Sequence, residues 1–159
     1  MKPDKEKMTI ILFSGDMDRS IAAFTLATTA ASAGTEVSIF FTFWGLNLLK
    51  KSLFTLGKSQ SILQKIFNIF SNSNLPVSRM NMCGLGPIMM KYLMKKSRTA
   101  SLNDLMSLAK QLKVKYIACT TSCSILGLSK ENLLDSIDEF AGAATYLNEA
   151  RESKINLFI

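Results

Sequence analysis

A chain of 159 residues with 48% hydrophobic content and a mean hydropathy of +0.20 is long enough to bury the core of one domain spanning 1–159. Its most apolar windows, Met8–Ser14 and Val37–Leu49, are too short or too interrupted for the roughly 20 consecutive apolar residues of a spanning helix, so no integral membrane span is expected. Nineteen basic residues against twelve acidic give a net charge of +7, spread through 50–65 and 91–115 with little aromatic interleaving, which speaks for a solvated surface and against nucleic acid.

The chain has no histidine. That removes Cys-His and Ser-His nucleophile pairs and the commonest zinc ligand set. The three cysteines, Cys83, Cys119 and Cys123, show no CxxC spacing, so neither a metal knuckle nor a secreted disulfide framework is expected, and no cofactor. The charged start has no apolar signal region directly behind it, which points to the cytoplasm and to free thiols. Chemistry in such a chain falls to sulfur itself.

Met8–Ser14 reads as a first, central strand. Gly15 to Asp18 breaks it, with Asp16 or Asp18 placed to cap a helix over 19–33, whose many alanines let it lie close on a sheet; Gly34 ends it. Glu36–Phe43, rich in β-branched and aromatic side chains, is a second strand. Strand, helix and strand make a βαβ unit with a right-handed crossover. The expected class is therefore α/β: a single-domain, three-layer, Rossmann-like or flavodoxin-like parallel sheet of about five strands.

Trp44-Gly45-Leu46 leaves the second strand at the same edge as Gly15 and Asp16. Segments 46–56 and 61–70 carry helix-spaced apolar residues, 71–74 reads as a loop and 76–82 as a third strand. Cys83-Gly84-Leu85-Gly86-Pro87 is a turn into a helix running to about Lys96, in which Gly84 and Gly86 either shape the backbone or offer N–H groups to an anion. Met80, Met82, Met89, Met90 and Met94 make a methionine-rich zone, read as ordinary core packing or as an adaptable, soft binding surface. Neither GxGxxG nor GxxxxGK[ST] occurs, so nucleotide and flavin are not expected.

Ser101 and Asp104 form a capping arrangement for a helix to about Leu112, which leads into the stretch around which the rest is organised. Tyr116, Ile117 and Ala118 end a buried strand, Cys119 stands where it stops, and Thr120, Thr121 and Ser122 turn out of it. The carboxyl edge of a parallel strand is where ligands and reactive groups collect, and N–H groups at a helix start favour thiolate over thiol. A cysteine there is either a working thiol or a small buried apolar group. Beyond it come a helical turn over 122–126 ended by Gly127, a helix from about Ser129 carrying Leu133, Leu134, Ile137 and Phe140, a last amphipathic helix over 138–152, and a terminal strand over 155–159.

These pieces, in this order, resemble the DsrE/DsrF/DsrH-like family of sulfur-trafficking proteins, in its DsrE-like branch, over nearly the whole chain. The resemblance rests on Ile10–Asp18 with its Ala-rich helix, Phe40–Gly45, Gly84–Lys91, Ile117–Gly127, Ala141–Leu147 and Leu157–Ile159. No one of these motifs is specific; their joint order is. It implies that Cys119 carries sulfur; from their own chemistry, Thr120, Thr121 and Ser122 with the N–H groups around them, and the turn at Gly84 and Gly86, are the groups that would steady an anion. Where the family commonly reads Cys-x-Met-Ser-Met-Asp-x-Met-Gly, this chain has Thr121, Cys123, Ser124 and Leu126 in place of the first two methionines, the aspartate and the last methionine. The missing acid leaves the local field less negative. Cys123, four residues on, is a second thiol that a single helix would put on the same face, and Cys83 is either a further thiol at that edge or a packed residue.

The implied function is a cytoplasmic sulfur carrier or sulfurtransferase that takes sulfane sulfur as a cysteine persulfide from a donor protein and relays it to an acceptor, in a protein whose copies assemble as a homo-oligomer. Thiolate attack on sulfur requires no imidazole, metal or nucleotide. The alternative is a non-catalytic binding or assembly module that uses the carboxyl edge of the sheet.

Overall fold

In the computed structural model, which describes residues 6–51, 77 and 85–159, five parallel strands form one sheet. In chain order the elements are β1 (Lys7–Leu12), α1 (Met17–Ser32), β2 (Glu36–Phe41), a 3-10 helix (Phe43–Leu49), α2 (Leu85–Lys96), α3 (Leu102–Gln111), β3 (Lys115–Cys119), α4 (Thr120–Leu126), a 3-10 turn (Lys130–Asn132), β4 (Glu139–Ala141), α5 (Ala143–Glu152) and β5 (Ile155–Phe158). The α/β class and the count of strands agree with expectation. The expected third strand over 76–82, the segments over 52–74, Cys83 and Gly84 lie outside the described residues, apart from Val77, which is buried.

The strand order is β4-β3-β2-β1-β5, so β2 and not β1 is the middle strand. The chain's last strand returns to the far side of β1, pairing Met8 with Ile155 through to Ile11 with Phe158. Nothing local to the first strand announces that partner. From β1 to β4 the chain steps one way across the sheet, and right-handed crossovers lay α1, α3 and α4 on one face; the return from β4 to β5 carries α5 over the other.

Period-two alternation sends Ile10 and Leu12 of β1, Ile39 and Phe41 of β2 and Tyr116 of β3 to the first face. They meet Ala23, Phe24 and Ala27 of α1, all fully buried. The small side chains let the helix approach, and the rings of Phe24, Phe41 and Tyr116 fill what remains, with centroids 5.3 to 6.3 Å apart. Each large apolar side chain buried this way contributes about 1.5–3 kcal/mol. Tyr116 satisfies its buried hydroxyl by donating to the Met106 carbonyl at 3.0 Å. Asp16 takes the N-cap position of α1 but its carboxylate accepts from Ser14 Oγ at 2.9 Å and makes no cap bond.

Two other regions depart from expectation. α2 begins at Leu85, so Gly86 lies inside its first turn and not in a turn before it. Only Gly86 and Pro87 of α2 are buried, whereas Leu85, Ile88, Met89, Tyr92 and Leu93 are exposed, so Met89 is not core. In the last third, the helix-spaced run from Ser129 to Phe140 forms only the short turn Lys130–Asn132, and residues 138–152 are not one helix. Glu139 to Ala141 instead pair with Ile117 to Cys119 as an edge strand. Asp138 fixes that start: its carboxylate accepts the Tyr116 N–H at 2.7 Å and the Lys110 ammonium at 2.8 Å, and its own N–H donates to the Tyr116 carbonyl at 3.0 Å. Gly142 then caps α5.

Candidate functional site

Cys119 is the last residue of β3 and the N-cap of α4, opposite Ala141 across the pairing with β4. Alternation along β3 puts Tyr116 and Ala118 on the main core face and Ile117 and Cys119 on the other, where Phe40, Ala141 and Tyr146 of α5 pack with them. The Phe40 and Tyr146 rings lie 5.4 Å apart. Cys119 keeps 6% of its surface exposed. It is thus close to sealed, with its sulfur in a polar setting.

That setting comes from two strand ends. β2 runs beside β3 with Phe41 opposite Ala118, so the residue after Phe41, Thr42, arrives next to Cys119. Thr42 Oγ1 and Ser122 Oγ lie 2.8 Å apart and are both buried. Burial is the largest single influence on Cys119 and pushes its thiol up. The Ser122 hydroxyl and N–H, the Thr42 hydroxyl and the Thr121 N–H, grouped beside Cys119, favour its charged form; together they outweigh burial and hold the thiol below its ordinary value of 9.0.

Of the residues singled out in the sequence, the structure brings together Cys119, Thr121 and Ser122. Thr120 is exposed, and its carbonyl accepts from Ser124 Oγ at 3.0 Å. Gly86 is buried in α2, and Gly84 and Cys83 are not among the described residues. Thr42 escaped sequence reasoning, because it lies 77 positions away and belongs to an apolar strand end. The signal available was its register: a hydroxyl one residue past the last apolar position of the strand neighbouring β3.

Cys123 turns the other way, into the main core with Leu126, and is also 6% exposed. Burial first, and the neighbouring Cys119 second, push its thiol up to about 11. Both cysteines are free. α4 ends at Gly127 in the left-handed region, at φ 63°, where the N–H groups of Gly127 and Leu128 close back on the Ser124 and Cys123 carbonyls at 3.3 and 2.8 Å.

Among the described residues, no group of three or more His, Cys, Asp or Glu side chains converges as a metal ion would need. No helix among them is long and apolar enough to cross a membrane. A cavity of about 580 Å³ opens elsewhere, between α1, α2 and α3, with Met17, Ile21, Met94 and Leu102 beside Lys91 and Lys95; Cys119 and its donors do not line it.

Two solved structures share the architecture: protein MTH1491 of Methanobacterium thermoautotrophicum, at a TM-score of 0.54 and 10% identity over 98% of this chain and all of that one, and the YchN protein of E. coli, at 0.54 and 11% over 97% and 99%. At such identities the likeness speaks for the fold alone. Among curated sequences, the uncharacterized protein YrkE of Bacillus subtilis is 41% identical over the full length of both chains. The sulfur carrier protein DsrE2 of Allochromatium vinosum is 35% identical over 98% of this chain and 99% of its own. The sequence pattern of the DsrE/DsrF/DrsH-like family matches residues 4–158. With a match of that extent joined to two full-length relatives and the five-stranded parallel sheet, the chain belongs to the DsrE/DsrF/DrsH-like family.

Proposed function

We propose that this protein is a sulfur carrier in which Cys119 holds sulfane sulfur as a persulfide and relays it to a partner thiol. The observation that carries the reading is the place of Cys119 at the tip of β3 and the start of α4, beside the buried hydroxyl pair of Thr42 and Ser122, a polar setting that favours the nucleophilic thiolate without any imidazole. Family membership and the 35% identity to a sulfur carrier support a role in sulfur relay.

The chemistry is two successive displacements at sulfur. The Cys119 thiolate attacks the outer sulfur of a donor persulfide, R–S–SH; the new S–S bond forms as the donor's S–S bond breaks, and the donor leaves as R–S⁻. An acceptor thiolate then attacks the outer sulfur of Cys119–S–SH, takes it, and returns Cys119 as thiolate. No electrons are gained or lost by the protein over the cycle, and each step exchanges one S–S bond for another. Cys119's small exposure, together with Phe40, Ala141 and Tyr146 around it, would shield the carried sulfur from bulk thiols.

On this reading the chain works as one domain, in the cytoplasm, with donor and acceptor proteins as partners and copies of itself as an assembly. The exposed Phe43, Trp44 and Phe158 give such contacts apolar surface. The residues described supply thiols, hydroxyls and N–H groups for the reaction, and it requires no cofactor. Gly84 and Cys83 enter only as residues that a relay could also use.

The test is transfer. A persulfide donor labelled in its outer sulfur is incubated with the protein, excess donor is removed, and a thiol acceptor is added. Labelled sulfur appearing on the acceptor through wild-type protein, and not through Cys119→Ser, is the expected result; equal transfer by both overturns it. A second reading is favoured by the 6% exposure of Cys119: a binding module in which this cysteine merely packs. It requires Cys119→Ser to keep full function.

A further inference from the structure

The hydroxyls around the Cys119 sulfur obey a proton count that separates its charged and uncharged forms. Thr42 Oγ1 and Ser122 Oγ lie 2.8 Å apart. The register of β2 on β3 sets Thr42 beside Cys119, and Ser122 lies in the first turn of the helix that Cys119 caps, so two oxygens and one sulfur stand together as a ring of three possible contacts. Each hydroxyl brings one proton. With Cys119 as a thiol, the ring holds three protons for three contacts and closes in one sense: oxygen to oxygen, oxygen to sulfur, and S–H back to the first oxygen. With Cys119 as a thiolate, two protons remain for three contacts. The charge draws both hydroxyls onto sulfur, because a hydrogen bond to an ion is stronger than one between neutral groups. The oxygen–oxygen contact is then left without a hydrogen.

The backbone of Thr42 is held on both sides. Its N–H donates to the Leu12 carbonyl at 3.1 Å, and its carbonyl accepts the Gly45 N–H at 3.0 Å. The next residue, Phe43, sits at φ 45°, in the left-handed region that bulky residues rarely take. Gly45 has no room for a side chain, since a Cβ there would lie 2.1 Å from the Leu12 carbonyl oxygen. The end of β2 is therefore clamped to the end of β1, with the Thr42 hydroxyl pointing at the ring.

We infer that Thr42 is a positioning residue for the sulfur-carrying thiol, its hydroxyl turning from Ser122 to the sulfur when Cys119 ionises and back when a second sulfur caps it. Once capped, the negative charge sits on the outer sulfur and Sγ is no longer an anionic acceptor, so the two hydroxyls close on each other again. Thr42 thereby favours the empty thiolate that accepts sulfur, and releases its hold when the site is filled. The inference rests on the proposed role of Cys119, but it is tested on protonation alone, so the two can fail separately.

The experiment follows the rate of Cys119 alkylation against pH, read by mass at that residue, in wild type, Thr42→Val and Thr42→Ser. Valine keeps the shape and removes the hydroxyl; its midpoint is expected about one pH unit higher, and serine is expected to restore the wild-type midpoint. A merely structural role for Thr42 would leave the midpoint in place. An unmoved midpoint in Thr42→Val, or failure of Thr42→Ser to restore it, overturns the inference. Should the valine variant not fold, the infrared S–H stretch of wild-type protein below the Cys119 midpoint decides instead: a band displaced by hydrogen bonding and lost in Cys119→Ser is expected, and a band at the free-thiol position overturns the inference.

Discussion

Cys119 and Cys123 lie four residues apart, and each has 6% of its surface exposed, yet their thiols are displaced in opposite directions. Burial pushes both up. At Cys119, two hydroxyls and two N–H groups beside the sulfur favour its charged form and reverse the balance. At Cys123 the neighbours are core apolar groups, and the nearby Cys119 adds to the rise, which reaches about 11. The difference teaches that exposure does not decide which cysteine is reactive here. Placement on the sheet does: β3 ends with Cys119 facing α5 and the tip of β2, whereas α4 carries Cys123 back into the main core.

The largest expected effect is on sulfur loading. With a persulfide donor, Cys119→Ser should lose loading altogether and Cys123→Ala should keep most of it; intact-protein mass distinguishes them, and equal loss in both variants would erase the contrast. Next comes the pH dependence of alkylation. Cys119, held below 9.0, forms thiolate first, while Cys123 stays protonated toward about 11, so at neutral pH their thiolate fractions should differ about a hundredfold or more. Residue-resolved mass spectrometry after brief labelling measures this, and comparable labelling of both would refute it. The same displacements act on stability with opposite signs. Cys119 adds stability that is full above 9.0 and is lost as pH falls through its folded value; the share of Cys123 is full below 9.0 and is lost as pH rises toward about 11.

A smaller change sharpens the comparison from the Cys119 side. Ser122→Ala removes one side-chain donor and should raise the Cys119 midpoint by about one pH unit, narrowing the gap to Cys123 without closing it. A lowered midpoint would contradict the assignment of Ser122 as a donor. The smallest effect is a control far from both thiols. The capping box of α3, with the Asp104 N–H donating to Ser101 Oγ at 3.2 Å and the Ser101 N–H to the Asp104 carboxylate at 2.9 Å, should cost about 1 kcal/mol when Ser101→Ala breaks it, read by urea unfolding, with both thiol midpoints unmoved.

Much of the fold was legible because it is written locally. The apolar runs of β1 and β2, the alanines of α1, the Ser101–Asp104 cap and the stop at Cys119 each lie within a few residues of the structure they produce. What was not legible depends on distant partners. β4 is three residues long and takes its strand form from pairing with β3 and from the bonds Asp138 makes to Tyr116, so the spacing of Leu133, Leu134, Ile137 and Phe140 suggested a helix instead. The central place of β2 follows from β5 docking on β1. The site divides the same way: Cys119, Thr121 and Ser122 are contiguous and were readable together, whereas Thr42 reaches them only through the register of β2 on β3.

The most direct measurement of the sulfur-carrying role is to load wild-type protein with a persulfide donor and assign the added sulfur by fragment ions, because Cys119 and Cys123 fall between the same pair of lysines, Lys115 and Lys130. One sulfur atom on Cys119, with Cys123 unmodified, is the expected result. Sulfur on Cys123 in its place, or a Cys119 left bare by a donor that readily loads a small-molecule thiol, would contradict it.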